Sequence, residues 1–316
     1  KPLRADTGLK DIPLSAEADD RHIASAAGKI TPTDINDLYV QHLLEYIDAD
    51  ALKPLKIVVN AGNGGAGLVL DMLEPHLPFE FVKINHAPDG NFPNGVPNPM
   101  LTENRESTAR AVVKHKADFG IAWDGDFDRC FFFDEHGGFI EGYYIVGLLA
   151  TSILKNAPGA GVVYAPRLTW STIEMVEAAG GRPVLSKSGH SFIKQVMRQE
   201  DAAYGGEMSA HHYFRNFFYC DSGMIPWLLI AQIVAQRGVG LSTLVAERIA
   251  KFPASGEINR RVTDADAVMA DIWAHYESDA VERNREDCIR LSFADWRFNL
   301  RASNTAPVIN LNEESR

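Results

Sequence analysis

This 316-residue sequence contains few cysteines and fewer basic than acidic residues. Its three cysteines, Cys130, Cys220 and Cys288, lie far apart and form no CxxC pair, which argues against a disulfide framework or a cysteine zinc site. We expect reduced, buried thiols in a cytoplasmic protein. The 31 Lys and Arg face 42 Asp and Glu, a net charge of −11, so an extended surface for nucleic acid or an anionic membrane is not expected.

Long apolar runs are also missing. The longest, 224–235, falls short of the roughly 20 residues that a membrane-spanning helix needs. The first residues have no signal-peptide core. The sequence therefore predicts a protein without a membrane partner, and it leaves the oligomeric state open.

Helical and strand-like hydrophobic spacing alternate from about residue 37 onward. The alternation predicts two consecutive α/β domains, at 37–137 and 138–254, with mixed sheets between helices. The hydrophobic pattern of residues 255–316 predicts a truncated α+β C-terminal domain, with its elements in the order strand, helix, strand, strand. Residues 1–36 show no paired strands and are expected to be the remnant of a preceding domain.

Within the first α/β domain, apolar residues at helical spacing predict helices at 37–49, 66–77 and about 102–116. Strands are predicted at 56–60, 79–84 and directly before Asp124.

An acidic hexapeptide, DGDFDR at 124–129, separates two apolar strand-like stretches. Alternation along a strand would aim Asp124, Asp126 and Asp128 to one side, where their mutual repulsion is costly unless a cation lies among them. Oxygen ligands without a nearby His or Cys favour Mg²⁺, which also leaves positions open for water and a phosphate. Arg129 follows as a phosphate partner would.

Two other interpretations of this loop stay open. An EF-hand loop also spaces acids in this way, and Glu135 falls at its twelfth position, but Arg129 stands where such a loop needs Gly and the flanks resemble strands. A solvated acidic hairpin tip is the second alternative. The aromatic, apolar walls of the loop and the adjacent Arg129 argue against it.

The glycine-rich sequence GNGGAG at 62–67 follows a predicted strand and opens a predicted helix, as a dinucleotide-binding fingerprint does. An NAD-dependent oxidoreductase is therefore an alternative. The acid that should end the next strand is absent, since that strand ends at 83–85 and Asp89 belongs to a long loop. A tight strand-to-helix turn is the favoured interpretation.

A third loop, at 205–212, places Glu207 and Ser209 beside the imidazoles of His211 and His212. A carboxylate and a hydroxyl together suit the vicinal hydroxyls of a sugar. A capping serine and a surface glutamate would explain the same residues equally well.

Several cationic side chains follow predicted strands, where open α/β sheets place ligands. Arg167, Lys187 and His190 could there stabilise a phosphoryl group or move a proton. The segment RASNTAP at 301–307 combines an arginine, two hydroxyls and backbone amides into an anion nest suited to a phosphate monoester, or else is an ordinary turn.

Taken together, the three loops resemble the α-D-phosphohexomutase superfamily, and most closely its bacterial phosphomannomutase members. The family motifs of metal loop, sugar loop and phosphate loop occur here in the family order, as DGDFDR at 124–129, GEMSAH at 206–211 and RASNTAP at 301–307. The resemblance covers essentially the whole chain.

The resemblance implies a role for each matched residue. Asp124, Asp126 and Asp128 would hold Mg²⁺. The implied substrate contacts are Lys187, Glu207, Ser209, His211, Arg301, Ser303, Asn304 and Thr305. The residues implied at the reaction centre are Arg129, Arg167 and His190. Two positions depart from the family: Ala210 replaces Gly, and Arg167 stands where many relatives have Lys, a better proton carrier.

The implied activity is an isomerase reaction, the reversible transfer of phosphate between O6 and O1 of a hexose phosphate, with mannose preferred, as GDP-mannose biosynthesis requires. A hexose bisphosphate is the intermediate, and a phosphoserine in a TASHNP-like loop of the first domain is the donor. No such loop occurs in these 316 residues, and the family continues beyond the phosphate loop. We therefore expect an inactive remainder; a non-enzymatic sugar-phosphate-binding module is the alternative.

Overall fold

This computed structural model describes Ile12 and residues 28–285, 288–302 and 307–316. Most of the predicted remnant at 1–36 therefore lies outside the described residues. The described chain forms three five-stranded sheets. The first two are mixed and the third is antiparallel, which confirms the predicted fold class of α/β units followed by an α+β unit.

The first sheet has the strand order β2-β1-β3-β4-β5, in which β1 lies parallel to β2 and β3. Its strands are β1 (Lys56–Asn60), β2 (Glu80–Ile84), β3 (Phe119–Trp123), β4 (Cys130–Phe133) and β5 (Phe139–Ile140). Its helices are α1 (Asn36–Leu44), α2 (Ala66–Leu73) and α3 (Glu106–His115). β3 is buried along its whole length, as a central strand between helices must be.

Three predicted helices in this unit are shorter in the structure. α2 ends at Leu73 instead of 77 because Pro75 lacks the N–H that the helix needs, and Glu74–His76 forms a 3₁₀ turn instead. α1 ends at Leu44 rather than 49, and Ala49–Ala51 is a separate 3₁₀ turn. Another 3₁₀ turn, Thr102–Asn104, precedes α3.

The second sheet has the order β10-β9-β8-β6-β7. Its strands are β6 (Gly161–Tyr164), β7 (Arg182–Leu185), β8 (Tyr204–Gly206), β9 (His212–Phe214) and β10 (Cys220–Asp221). Its helices are α4 (Gly142–Leu154), α5 (Trp170–Ala178), α6 (His190–Gln199), α7 (Met224–Arg237) and α8 (Leu241–Lys251), with a 3₁₀ turn at Arg215–Phe217. One hydrophobic core joins this unit to the first, for example where Phe81 meets Trp227 edge to face.

In the described part of the chain, no single helix is long and apolar enough to cross a membrane. The bent pair α7 and α8, at 99° to each other, has the length and composition of a span only when both helices are taken together.

The third sheet is antiparallel, in the order β11-β15-β14-β13-β12. Its strands are β11 (Ala254–Arg261), β12 (Glu282–Asn284), β13 (Ile289–Ser292), β14 (Trp296–Ala302) and β15 (Val308–Ser315). The helix α9 (Ala265–Tyr276) packs on it and is capped by Asp264, which accepts a hydrogen bond from Ala267 N at 2.9 Å. Four strands follow the helix where two were predicted; β12 and β13 have only three and four residues, too few for alternation to be recognised.

A buried ion pair within the third sheet makes the hydrogen bonds that fasten this sheet to the second unit. The side chains of Arg297 and Glu314 are 6% and 0% exposed, and Arg297 Nη1 lies 2.6 Å from Glu314 Oε1. Glu314 also accepts hydrogen bonds from Tyr143 Oη and, at 2.6 Å, from Thr169 N, directly before α5. Arg297 donates to Pro166 O at 3.1 Å. The carboxylate therefore has donors from both units, which is the condition for burying a charge.

We expect Glu314→Gln to lower the free energy of unfolding by about 3 kcal/mol, because Arg297 would stay buried without a counter-charge. Urea denaturation followed by tryptophan fluorescence measures this. Glu313→Gln is the matched control, since Glu313 is the exposed neighbour on β15 and should change stability by less than about 0.5 kcal/mol. Equal effects of both substitutions would contradict the prediction.

Candidate active site

The three acids of the DGDFDR loop lie together at the β3–β4 turn. One carboxylate oxygen of each lies within 4.8 Å of the others, with Asp124 buried, Asp128 half-buried and Asp126 exposed. β3 and β4 pair as antiparallel strands around the loop. Strands on both sides rule against the EF-hand interpretation, which needs helices there. The donor set is all oxygen, which fits Mg²⁺.

The loop is held in place by the second unit. Phe127 has the left-handed φ of 49°, and its carbonyl oxygen accepts a hydrogen bond from Gly223 N at 3.2 Å. Trp123 Nε1 donates to Gly223 O at 2.8 Å. The turn of the first sheet is thus bonded directly to the residue that precedes α7.

The glycine-rich turn at 62–67 packs against the same loop. Gly65 N donates to Gly125 O at 3.2 Å. A Cβ on Gly64 would overlap Gly125 O, and a Cβ on Gly65 would clash with the ring of Phe127. These glycines are thus accounted for by close backbone packing, which supports the strand-to-helix turn interpretation.

Charges around the loop shift the acidities of two ligand candidates in opposite directions. Burial raises the pKa of Asp124 to about 6, although Arg129 Nε, 2.6 Å from its Oδ2, favours the charged form. The contact with His211 lowers the pKa of Asp128, and the charge of Arg129 adds to this. At a pH low enough for Asp124 to take up a proton, Asp128 therefore stays ionised.

The sugar loop joins the acidic loop directly. Arg129 and His211 form an isolated antiparallel bridge, and His211 Nε2 lies 3.5 Å from Asp128 Oδ2. Burial lowers the pKa of His211, but its contacts with Asp128 and Glu207 outweigh burial and leave that pKa raised. Ser209 Oγ lies 3.2 Å from His211 Nδ1.

Glu207 and Ala210 are held by the local backbone. The buried Glu207 accepts hydrogen bonds from Gly189 N and from Tyr213 Oη, both at 2.9 Å. Ala210 has a φ of 70°, in the left-handed region that favours glycine. The family's glycine at this position is thus explained by backbone conformation.

A cleft of about 340 Å³ lies between the three units. Of the predicted residues, the cleft is lined by Arg129, Arg167, Ser209 and Arg301. Sequence reasoning missed Arg105, Glu141, Glu257 and Asn259, which also line it. Each of these is a single charged or polar residue outside a recognisable motif, so the sequence carried no signal for them.

Other predicted residues lie apart from this cleft. Lys187 and His190 are exposed at the start of α6 and are not among the lining residues, although Gly189 between them bonds to Glu207. The predicted phosphate contacts Ser303, Asn304 and Thr305 lie outside the described residues. Of the three cysteines, Cys220 is half-buried and so departs from the expected burial.

We expect Gly64→Ala to push the acidic loop away from the glycine turn, costing about 1–3 kcal/mol of stability and weakening divalent-cation binding. Thermal unfolding and calorimetric titration with Mn²⁺ measure the two effects. Gly90→Ala is the control, because nothing lies within 4 Å of a Cβ there. Unchanged cation affinity in Gly64→Ala would show that the turn does not support the loop.

Two protein-family models match the chain: phosphoglucomutase/phosphomannomutase alpha/beta/alpha domain II over 37–138, and domain III over 141–252. A phosphohexose mutase of Xanthomonas campestris pv. campestris is 61% identical over 320 residues, covering 100% of this chain and 70% of that protein. A phosphomannomutase of Salmonella montevideo is 57% identical, covering 100% of this chain and 71% of that protein.

A crystal structure shows the same architecture. The phosphoglucomutase/phosphomannomutase family protein from Burkholderia thailandensis superposes with a TM-score of 0.83 at 30% identity, covering 99% of this chain and 66% of that chain. This chain thus spans about two thirds of that structure. From the matching models, the relatives and the shared fold, the chain belongs to the phosphoglucomutase/phosphomannomutase family of phosphohexomutases.

Proposed function

We propose that this chain binds Mg²⁺ and a hexose phosphate, and that its parent protein transfers phosphate reversibly between O6 and O1 of mannose phosphate. The observation that carries the proposal is that the acidic loop contacts the sugar loop directly and that both reach the cleft lined by Arg129, Arg167 and Arg301. Arg129 contacts Asp124, bridges to His211 and lines the cleft with Arg167 and Arg301. The names of the two relatives, a phosphohexose mutase and a phosphomannomutase, favour this substrate class.

Each part of the site has a distinct task in this proposal. Asp124, Asp126 and Asp128 would hold Mg²⁺, which when bound supplies positive charge to the transferring phosphate. Arg129 would add charge at the same place, because it lies between the acidic loop and the cleft. Glu207 and Ser209 would bind sugar hydroxyls.

Phosphate binding would fall to the arginines of the cleft and to the loop that follows Arg301. Arg167 and Arg301 present guanidinium groups, which match phosphate oxygens two at a time. Ser303, Asn304 and Thr305 are proposed to complete this loop. Lys187 and His211 are proposed to contact the sugar phosphate, and His190, the first residue of α6, to act with Arg129 and Arg167 at the reaction centre. A hexose bisphosphate would use the same groups in two orientations.

The proposed division of labour follows the chain. Residues 37–137 would supply the metal loop, 138–254 the sugar loop and 255–316 the phosphate loop. Since no TASHNP-like loop occurs in this sequence, we propose that the chain on its own binds ligand without turnover.

We expect Mg²⁺ affinity to rise with pH through about 6, because Asp124 must lose its proton to bind the ion. Affinity at pH 5 should be about tenfold lower than at pH 7.5. Calorimetric titration at the two pH values measures this. Asp126→Asn should weaken binding at both pH values, whereas Asp124→Asn should flatten the pH dependence. Equal affinity of the unsubstituted chain at both pH values would contradict it.

We also expect no mutase turnover with Mg²⁺, mannose 1-phosphate and a hexose bisphosphate activator. The activator would have to phosphorylate a serine that this sequence lacks. A coupled assay for mannose 6-phosphate is the measurement, with calorimetric binding of mannose 1-phosphate as the positive control. Turnover of roughly one per second or faster would place the nucleophile within these residues. Absence of binding would overturn the proposed function itself.

A further inference from the structure

Arg167 is paired with a carboxylate from another unit of the protein. Its Nη1 lies 2.8 Å from Glu257 Oε2, and the two side chains are 14% and 18% exposed. Arg167 belongs to the loop after β6 in the second unit, and Glu257 lies on β11 at the edge of the third sheet. The ion pair therefore connects the second and third units.

This ion pair lies inside the cleft proposed to receive phosphate. Arg129, Arg301 and Ser209 line the same cleft. A dianionic phosphate that approaches Arg167 therefore meets a carboxylate already bound there. The Glu257 carboxylate would repel such a ligand, and the carboxylate and the phosphate compete for the one guanidinium of Arg167.

The backbone of Arg167 and its side chain are held in different ways. Arg297, fixed by its buried pair with Glu314, donates to the carbonyl oxygens of Pro166 and Arg167 at 3.1 and 3.4 Å. This fixes the main chain of the loop. The guanidinium is held by the partly exposed Glu257, whose other oxygen accepts from Asn259 Nδ2 at 3.3 Å. The side chain can thus change partner while its loop stays in place.

We propose that Glu257 is an internal competitor of the substrate: it occupies Arg167 in the free chain, and a phosphate monoester takes the same guanidinium and displaces the Glu257 carboxylate from it. This rests on the proposed function, which makes Arg167 a phosphate contact. Glu257 then acts as a positioning residue, through Arg167, and sets how strongly a phosphate must bind to displace it from that guanidinium.

The size of the effect follows from competition. If the pair is closed in nine chains of ten, the apparent affinity for phosphate falls about tenfold relative to a chain without the pair. Glutamine keeps the shape of Glu257 but not its charge. Glu257→Gln should therefore bind phosphate ligands about tenfold more tightly.

Calorimetric titration of the whole chain with mannose 1-phosphate and, separately, with inorganic phosphate tests this. Glu313→Gln is the matched control, because it removes the same charge from β15, the partner strand of β11, on the opposite face of the sheet. It should leave both affinities unchanged. A merely structural role of Glu257 would not tighten binding.

An Arg167→Ala background separates competition at Arg167 from general repulsion. If Glu257 acts through Arg167, adding Glu257→Gln to Arg167→Ala should give no further gain in affinity, and a tenfold gain there would overturn the proposal. Equal or weaker binding by Glu257→Gln, with the unsubstituted chain binding normally, would also overturn it while the proposed function stands. Failure of both chains to bind either probe would overturn both.

Discussion

Burial of one charge pair, Arg297 with Glu314, is the constraint on which the arrangement of the site depends. A carboxylate without solvent must be fully supplied with donors, and here they come from both sides of the contact between units. Because two of the arginine's acceptors are the carbonyls of Pro166 and Arg167, the pair also fixes the main chain of the loop that presents Arg167. Stability and site geometry are thus set by the same atoms.

The acidic loop illustrates how a site can belong to one sheet in sequence and to two in space. Its carboxylates follow β3, yet its turn is bonded to Gly223 and its last residue bridges to His211. The glycine turn behind it completes the enclosure from the first unit. Rotating one unit relative to the other would therefore move the acidic loop away from His211, so the proposed metal and sugar contacts depend on this one contact between the units.

Much of this could be predicted from local patterns. Alternating hydrophobicity identified the two α/β units, and the i, i+2, i+4 acids predicted a shared site because neighbouring residues determine both. Helix ends were less predictable: Pro75 ends α2 earlier than the apolar spacing indicated. Glu257 and Glu314 could not be found at all. Each is a single acid in a strand. Glu257 pairs with Arg167, 90 positions away, and Glu314 pairs with Arg297, 17 positions away.

The contact between the first two units is apolar, whereas the described contacts of the third unit with the second include buried polar groups. This difference affects which unit could be exchanged for that of another protein. The first two units share a hydrophobic core and interlocking loops, so an exchanged unit would have to match the apolar side chains on the other side of that core. The third unit has a separate core of its own, and its contacts with the second unit include the polar groups around Glu314 and the Arg167–Glu257 ion pair. An exchanged C-terminal unit would therefore need polar groups that match the second unit, among them an arginine and a glutamate at the positions of Arg297 and Glu314, more than it would need a shared apolar core.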